Sequence, residues 1–400
     1  MKVYQINSVC GFGSTGRIAL DLAQIIRDSG SQCRIGYGRG MCPAEDTFRF
    51  ESDLQVRIHG LMSRITDRQG FYSSGATRKL IADIRDYAPD IIHLHNIHGY
   101  YLNVKLLFSF LAQYGKPVVW TLHDCWPFTG HCAYFDHSGC GRWRTGCHHC
   151  PQKKEYPASV LADASRENYA QKQMLFTQLP NLTIVTPSQW LADLARCSFL
   201  GKHDIVTIPN GIDLSVFRPE GQNVRQRFQL GEGPLVLGVA NVWEERKGLQ
   251  DFLLLREFLP QEYIIILTGL SAPQCADLPA GIRGISRAES TQELVHLYSE
   301  ASVYVNPTYE DNFPTTNLEA LACGTPVITY DTGGSPEALT PDCGTVVTKT
   351  GDRRENAKAL AEAVKAACFD STLCRARAKQ FDKNIQFSRY LELYSKCLRG

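Results

Sequence analysis

The sequence has no long hydrophobic run, no marked excess of either charge and no Asp-x-Asp motif. Its apolar runs, such as 264–267, have the length of a strand and fall far short of the roughly 20 residues that a membrane-spanning helix needs. The formal net charge of +1 gives no overall attraction to nucleic acid, so nucleic acid is not expected as a partner. Residues 1–7 lead into a glycine-rich turn without the apolar segment of a signal peptide, and export is not expected.

The length and the hydrophobic pattern indicate two α/β domains. A chain of 400 residues exceeds what one core usually serves, since domains run to roughly 100–200 residues. Short runs rich in Val and Ile alternate with segments of helical period, which is typical of parallel sheets covered on both faces. We therefore predict two doubly wound sheets, with a boundary near 208–213 where Pro and Gly interrupt the pattern. The predicted strands are 2–7, 33–37, 91–95, 117–122 and 182–186, then 235–240, 263–267, 302–305, 326–329 and 344–347.

A glycine-rich turn with the spacing G-x-G-x-x-G follows the first predicted strand, and residues 17–28 continue as a helical pattern. Glycines let the backbone approach a ligand, and a helix N-terminus favours an anion. A dinucleotide site would also want an acid at the end of the next strand, but that strand ends at Arg39, which suits a 2′-phosphate. An NADP-linked oxidoreductase and a tight turn without a ligand are therefore alternatives to a donor contact. The candidate donor contacts here are Gly11, Gly13, Ser14 and Gly16.

The stretch 303–328 reads as a strand, a loop, a helix from about Pro314 and a second strand. Pro in the first turn of a helix and Gly just after its end are the expected asymmetry. Such a helix start can receive a diphosphate, and Glu319, one turn further in, can accept hydrogen bonds from a ribose diol. Asp311 lies eight residues before Glu319 and can face a sugar.

This stretch resembles the signature of glycosyltransferase family 4, in which two acids separated by seven residues are followed by Ala and a Gly-x-Pro-Val exit. The resemblance puts Asp311 at the first acidic position and Glu319 at the second. Asp stands where the family has Glu, so whether Glu310 shares the role is open. The donor-binding residues that the resemblance implies here are Glu310, Asp311, Asn312, Phe313, Pro314, Thr315 and Glu319.

A basic pair, Arg246 and Lys247, follows the first predicted strand of the second half. The resemblance implies an Arg and a Lys here that neutralise the departing nucleoside diphosphate. Lys247 matches, while Asn241 stands where the Arg is common, and Arg246 can either substitute or be an ordinary surface residue. Because the chain lacks an Asp-x-Asp motif to chelate a metal, fixed cations and helix N-termini have to stabilise the leaving group. Catalysis is therefore expected to need no metal ion.

Histidines end two predicted strands of the first half. Residues just beyond the carboxyl ends of parallel strands face the ligand crevice of such sheets. The resemblance makes His123 the counterpart of the family's histidine near the donor sugar, with Asp124 beside it. His95 and His98 are candidates for acceptor contacts, whereas His93 is expected to be packed.

Four cysteines fall within 132–150 and end in a Cys-x-x-Cys. The 15 cysteines are odd in number and scattered, unlike a secreted disulfide framework, so we expect a reducing cytosol. In that compartment the four closely spaced thiols are expected to bind a structural Zn²⁺. A His ligand in place of one Cys, an iron–sulfur cluster and no metal at all are the alternatives. This insertion resembles that of polysaccharide transferases related to the colanic-acid pathway. The predicted zinc ligands are Cys132, Cys140, Cys147 and Cys150, with His131, His148 or His149 as substitutes.

The resemblance covers nearly the whole chain and implies the GT-B architecture. It places an acceptor-binding Rossmann-like domain at 1–205, with the Cys-rich insertion at 125–157, facing a nucleotide-sugar-binding domain at 206–380 across a cleft. A last helix within 381–400 returns to the first domain. It also implies a retaining hexosyltransferase in which the leaving phosphate assists deprotonation of the acceptor.

The expected donor is a UDP-sugar, with a GDP-sugar as the alternative. The expected acceptor is a saccharide or polyprenyl-pyrophosphate-linked saccharide of a bacterial exopolysaccharide or capsule. Basic residues interleaved with aromatic ones suit contact with the inner face of the plasma membrane, or else form solvated faces of a cytoplasmic protein. The rival functions are the NADP-linked oxidoreductase and a non-catalytic sugar-nucleotide-binding subunit.

Overall fold

The computed structural model describes residues 1–221, 224–228, 230–286, 288 and 290–399. It divides into two units, the first formed by Met1–Pro209 together with the chain from Gln386 onward, and the second by Asn210–Ile385. The boundaries predicted at 205/206 and 380/381 lie a few residues before these. Both units are parallel α/β sheets, as the pattern of apolar runs predicts.

The first unit has a parallel sheet in the order β3-β2-β1-β4-β5-β6-β7. β1 is buried on both faces, with Val3, Tyr4 and Ile6 inaccessible to solvent, because helices cover both sides of the sheet. The strands are β1 (Lys2–Val9), β2 (Gln32–Arg39), β3 (Thr47–Arg49), β4 (Ile91–Leu94), β5 (Val118–Thr121), β6 (Leu182–Thr186) and β7 (Asp204–Thr207). The helices are α1 (Gly13–Asp28), α2 (Asp53–Thr66), α3 (Ser74–Tyr87), α4 (Val104–Tyr114), α5 (Ser165–Phe176) and α6 (Gln189–Arg196).

The second unit has a parallel sheet in the order β10-β9-β8-β11-β12-β13. Its strands are β8 (Leu235–Val239), β9 (Ile264–Thr268), β10 (Ile282–Ile285), β11 (Val303–Asn306), β12 (Val327–Tyr330) and β13 (Gly344–Val347). Its helices are α7 (Val224–Phe228), α8 (Leu249–Phe258), α9 (Ala272–Ala276), α10 (Thr291–Glu300), α11 (Thr315–Ala322), α12 (Arg353–Ala366) and α13 (Ser371–Lys379). The last described helix, α14 (Lys383–Cys397), lies mostly in the first unit.

α14 packs on the first sheet through two buried tyrosines. The Tyr394 hydroxyl lies 2.6 Å from Nδ1 of His93, and the Tyr390 hydroxyl lies 3.0 Å from Oγ1 of Thr121. Both tyrosines and His93 are buried. The last helix therefore completes the core of the first unit.

Strand order fixes where each unit can bind a ligand. In each sheet the chain first runs outward in one direction and then returns to the other side of its first strand, so the order reverses between β1 and β4 and between β8 and β11. In open parallel sheets, ligands bind beyond the carboxyl ends of the strands at such a reversal. The glycine-rich turn and His95 follow β1 and β4, while Lys247 and Asp311 follow β8 and β11.

Candidate active site

The second unit brings the predicted cation and the predicted acid together. Nζ of Lys247 lies 2.5 Å from Oδ2 of Asp311, and the two side chains are only 22% and 14% exposed. Lys247 ends a short 3-10 turn after β8, and Gly248 follows it with a φ of 75°. A Cβ on Gly248 would come within 2.2 Å of the carbonyl oxygen of Pro307, so glycine is required for the basic turn to approach the acidic loop.

Hydrogen bonds to main-chain carbonyl groups also join the basic turn to the acidic loop. The amide of Tyr309 donates to the carbonyl oxygen of Arg246 at 2.7 Å, and Nη1 of Arg246 donates to the carbonyl oxygen of Glu310 at 3.4 Å. Nε of Arg246 also pairs with Glu244 at 2.9 Å. The predicted donor residues Arg246, Lys247, Glu310 and Asp311 thus form one group, in which Arg246 contributes main-chain contacts that the sequence does not reveal.

α11 begins at Thr315, directly after this loop. Its N-cap is Pro314, whose side chain makes no capping hydrogen bond, so no N-cap side chain covers the N-terminus of the helix. Glu319 lies one turn further in, is 3% exposed and accepts a hydrogen bond from the Tyr298 hydroxyl at 3.1 Å. Asn312 and Phe313 are buried in the loop. The helix start, the loop and Glu319 therefore lie at one end of the sheet, and their role as a donor site stays a prediction.

Two polar residues that the sequence analysis does not single out fix this region. Asn317 accepts from Nδ2 of Asn306 at 2.9 Å and donates to Oγ of Ser335 at 3.0 Å, linking α11 to β11 and to the turn after β12. Asp251, inaccessible to solvent, accepts from the hydroxyls of Tyr309 and Tyr330 at 2.8 and 2.6 Å. Both residues lie inside helices, where a polar residue gives no signal of its own.

The first unit stacks three of its histidines in one row, the buried His93 and His95 and the partly exposed His123. Nδ1 of His95 lies 3.2 Å from Nε2 of His123, and Nε2 of His95 lies 2.8 Å from Oε1 of Gln5. Burial lowers the pKa of His123 to about 4, although the nearby Asp124 acts in the opposite direction. His123 is therefore neutral near pH 7 and can act as a hydrogen-bonding group without a charge.

Asp124 pairs with His98 through a contact of 2.8 Å between its Oδ2 and Nε2 of the ring. Burial acts to raise the pKa of Asp124, but His98 and the amide of Trp126 outweigh it, and the net effect is a lowered pKa. The His98 ring also lies 3.0 Å from the Tyr156 hydroxyl. His98 is thus joined to the carboxylate and to the Cys-rich insertion, while His93 is packed inside the sheet.

The glycine-rich turn after β1 closes on itself. The amide of Gly11 donates to the carbonyl oxygen of Gly16 at 3.0 Å, and Gly11 and Gly13 have φ values of 76° and 63°. α1 begins at Gly13, whose N-cap residue, Phe12, makes no side-chain cap. The turn with Ser14 is exposed, so it presents the N-terminus of α1 at the carboxyl end of β1.

The four predicted zinc ligands, Cys132, Cys140, Cys147 and Cys150, line one small cavity together with His131. The thiols of Cys132 and Cys150 are hydrogen-bonded to each other. Nδ1 of His131 contacts Asp67, whereas its buried Nε2 has no hydrogen-bond partner. Among the described residues, no three His, Cys, Asp or Glu side chains are already arranged to hold a metal ion. The thiol and imidazole donors suit Zn²⁺, and zinc stays a prediction.

Each unit is a parallel α/β sheet, and the second has an ion pair and an uncapped helix start at its switch point. Residues 15–216 match the family described as Glycosyltransferase Family 4, and residues 233–368 match Glycosyl transferases group 1. The chain belongs to glycosyltransferase family 4.

Known proteins resemble this chain over half or more of its length. The colanic acid biosynthesis glycosyl transferase WcaC of Escherichia coli K12 is 27% identical over 87% of this chain and 88% of its own length. An N,N′-diacetylbacillosaminyl-diphospho-undecaprenol α-1,3-N-acetylgalactosaminyltransferase of Campylobacter jejuni is 29% identical over 52% of this chain and 59% of its own length. The structure of Anabaena HepE in complex with UDP superposes with a TM-score of 0.67 at 16% identity, covering 99% of this chain and all of HepE. These matches favour a transferase over the NADP-linked alternative.

Proposed function

We propose that this glycosyltransferase moves a sugar from a UDP-sugar to a saccharide or polyprenyl-pyrophosphate-linked saccharide in the biosynthesis of a bacterial surface polysaccharide. WcaC is named for colanic acid biosynthesis, and the Campylobacter relative is named for an acceptor linked to diphospho-undecaprenol. HepE binds UDP in its crystal structure, which favours UDP over GDP as the carrier. The transfer retains the anomeric configuration, and the leaving phosphate assists deprotonation of the acceptor.

The observation on which the proposal depends is the pair of Lys247 and Asp311 at 2.5 Å beside the start of α11. The ammonium of Lys247 neutralises the departing diphosphate, and the first amides of α11 receive its oxygens. Glu319 accepts hydrogen bonds from the ribose hydroxyls, and Asp311 from the hydroxyls of the sugar. Because a fixed cation supplies the positive charge, the reaction needs no bound magnesium.

In the first unit, the proposed contacts are the turn of Gly11, Gly13, Ser14 and Gly16 and the side chain of His123. The neutral imidazole of His123 hydrogen-bonds to the donor sugar. Nδ1 of His95 lies 3.2 Å from Nε2 of His123 and fixes the orientation of that ring. Asp124, fixed by His98, is the carboxylate nearest to this contact along the chain. The acceptor is bound by this unit.

The test is release of UDP from a panel of UDP-sugars in the presence of a saccharide acceptor, without added metal. We expect turnover in the unmodified protein and loss of turnover in a Lys247→Met/Glu319→Gln variant. Lys365→Met is the matched control, because Lys365 lies on the surface of α12 and pairs with Glu362. Turnover that persists in the double variant overturns these roles, and UDP binding without any turnover would assign the protein to the non-catalytic class.

A further inference from the structure

α2 exposes the side that a surface helix normally buries. Its buried residues are the polar His59 and Ser63. With 3.6 residues per turn, four of its apolar side chains fall within an arc of about 60° on the opposite side. Surface helices usually turn such an arc towards the core. The exposed fractions in this α2 stripe are 65% for Leu54, 44% for Ile58, 58% for Leu61 and 40% for Ile65.

The segment 158–162, which follows the Cys-rich insertion of 125–157, extends the stripe. Val160 and Leu161 are each 71% exposed. The amide of Val160 donates to the carbonyl oxygen of Arg64 at 2.7 Å, and the amide of Ala162 donates to that of Ile65 at 3.1 Å. Main-chain hydrogen bonds therefore hold two strongly exposed apolar side chains against the end of α2. The α2 stripe with Val160 and Leu161 forms one apolar face.

Basic side chains border this apolar face. Arg57 and Arg64 are exposed along one edge of the stripe, since they lie one position before Ile58 and Ile65. Nζ of Lys153 lies 3.5 Å from the carbonyl oxygen of Leu161, and Lys154 is exposed beside it. The acidic neighbours are Asp53, which is engaged by Arg49, and the exposed Glu155 and Asp163, against four cations. The border is therefore positively charged overall.

We propose that the apolar face docks on an anionic lipid bilayer. α2 lies in the plane of the interface with its stripe in the boundary between headgroups and acyl chains, and the four bordering cations meet lipid phosphates. Two copies of the chain joined through this face would bring their cations together, so the charge favours a bilayer over a homodimer. No described helix is long and apolar enough to cross a membrane, so this contact is peripheral.

The inference rests on the proposed function for its purpose, because a polyprenyl-pyrophosphate acceptor is held in a bilayer. It also gives a role to the segment 158–162 that follows the Cys-rich insertion. By holding Val160 and Leu161 beside Ile65, this segment widens the surface that enters the lipid. Docking then holds the first unit, with its proposed acceptor contacts, at the membrane where such an acceptor resides.

The test is co-sedimentation of the full-length protein with vesicles of phosphatidylethanolamine and phosphatidylglycerol, compared with phosphatidylcholine vesicles. We expect binding to the anionic vesicles that weakens as salt is added. Ile58→Asp/Leu61→Asp should lower the partition coefficient at least about a hundredfold, since each buried side chain contributes roughly tenfold. Arg57→Gln and Arg64→Gln should each lower it roughly fivefold. Leu373→Asp is the matched control, because Leu373 is 46% exposed on a helix of the second unit.

Absence of binding to anionic vesicles overturns the inference, and so does equal binding by the Ile58→Asp/Leu61→Asp variant. A dimer seen by analytical ultracentrifugation that the same variant dissociates would assign the face to a second copy instead. Calorimetric titration with UDP, carried out on every variant, confirms that the fold and the donor site are intact. Vesicle binding without UDP binding would support the membrane inference and contradict the proposed function. UDP binding without vesicle binding would contradict the membrane inference and leave the proposed function standing.

Discussion

Replacing Lys247 by Met removes one positive charge and keeps a side chain of similar length. In the folded protein the ammonium lies 2.5 Å from Asp311 and both groups are mostly buried. The change therefore acts on two states: it leaves a carboxylate without its partner in the free protein, and it leaves the departing diphosphate without its cation in the transition state. These two effects have different sizes and can be measured separately.

The catalytic effect should be the larger of the two. Removing one preorganised group that stabilises developing charge lowers kcat about 10²- to 10³-fold, or roughly 3–4 kcal/mol in the activation free energy. The loss of a partner for Asp311 should lower the free energy of unfolding by about 1–2 kcal/mol, because the carboxylate is still 14% exposed and can be partly hydrated. Lys247→Arg retains the charge and should restore part of kcat.

The assay is steady-state UDP release at varied donor concentration, with thermal unfolding measured on the same samples. We expect kcat to fall far more than KM rises in Lys247→Met, with Lys365→Met indistinguishable from the unmodified protein. A rise in KM with unchanged kcat would contradict this role, because it would mean that Lys247 binds ground state and transition state equally well.

Three further results are expected. Glu319→Gln should raise KM for the donor about tenfold with a smaller change in kcat, since it weakens a charge-assisted hydrogen bond to ribose; an unchanged KM contradicts that role. Stability should fall as pH drops from about 6.5 towards 3, because burial lowers the pKa of His93 to about 3 and the unfolded chain takes up a proton that the folded chain does not. His93→Gln should reduce that slope by about 1.4 kcal/mol per pH unit in denaturant titrations, and an identical slope would count against it. Purified protein should contain one equivalent of zinc that Cys147→Ser abolishes and Cys197→Ser, at an exposed free cysteine, does not; metal-free unmodified protein contradicts the zinc prediction.

The sequence predicts the central strands well because they are the most buried. Apolar runs mark β1, β4, β5 and β11 to within a residue or two, since a strand covered on both faces has no polar positions to interrupt its pattern. β3, β7 and β10 are missing from the prediction. They lie at sheet edges and are partly exposed, so their composition resembles that of loops. The edge strand β13 is the exception, since the prediction of 344–347 coincides with its bounds.

The site residues that stand in loops after strands were accessible to sequence reasoning, whereas their supports were not. Spacing predicts Asp311 before, and Glu319 inside, the helix that begins at Thr315, and strand ends indicate where His95 and His123 lie, whereas their roles are implied by the family resemblance. The supporting contacts depend on tertiary structure. In the sequence Asp251 is only an acid within a predicted helix, whereas the structure shows that the hydroxyls of Tyr309 and Tyr330 donate to it. The outward apolar stripe of α2 has the ordinary period of an amphipathic helix, and only the fold shows which side is buried.

We propose that the second unit binds a nucleoside diphosphate with a lysine and a helix N-terminus in place of a metal ion. Calorimetric titration of UDP into the protein in buffer containing EDTA tests it most directly. We predict an affinity that added magnesium does not improve and that falls at least about tenfold in Lys247→Met. Binding that appears only when magnesium is supplied, or equal affinity in the variant, would contradict the account.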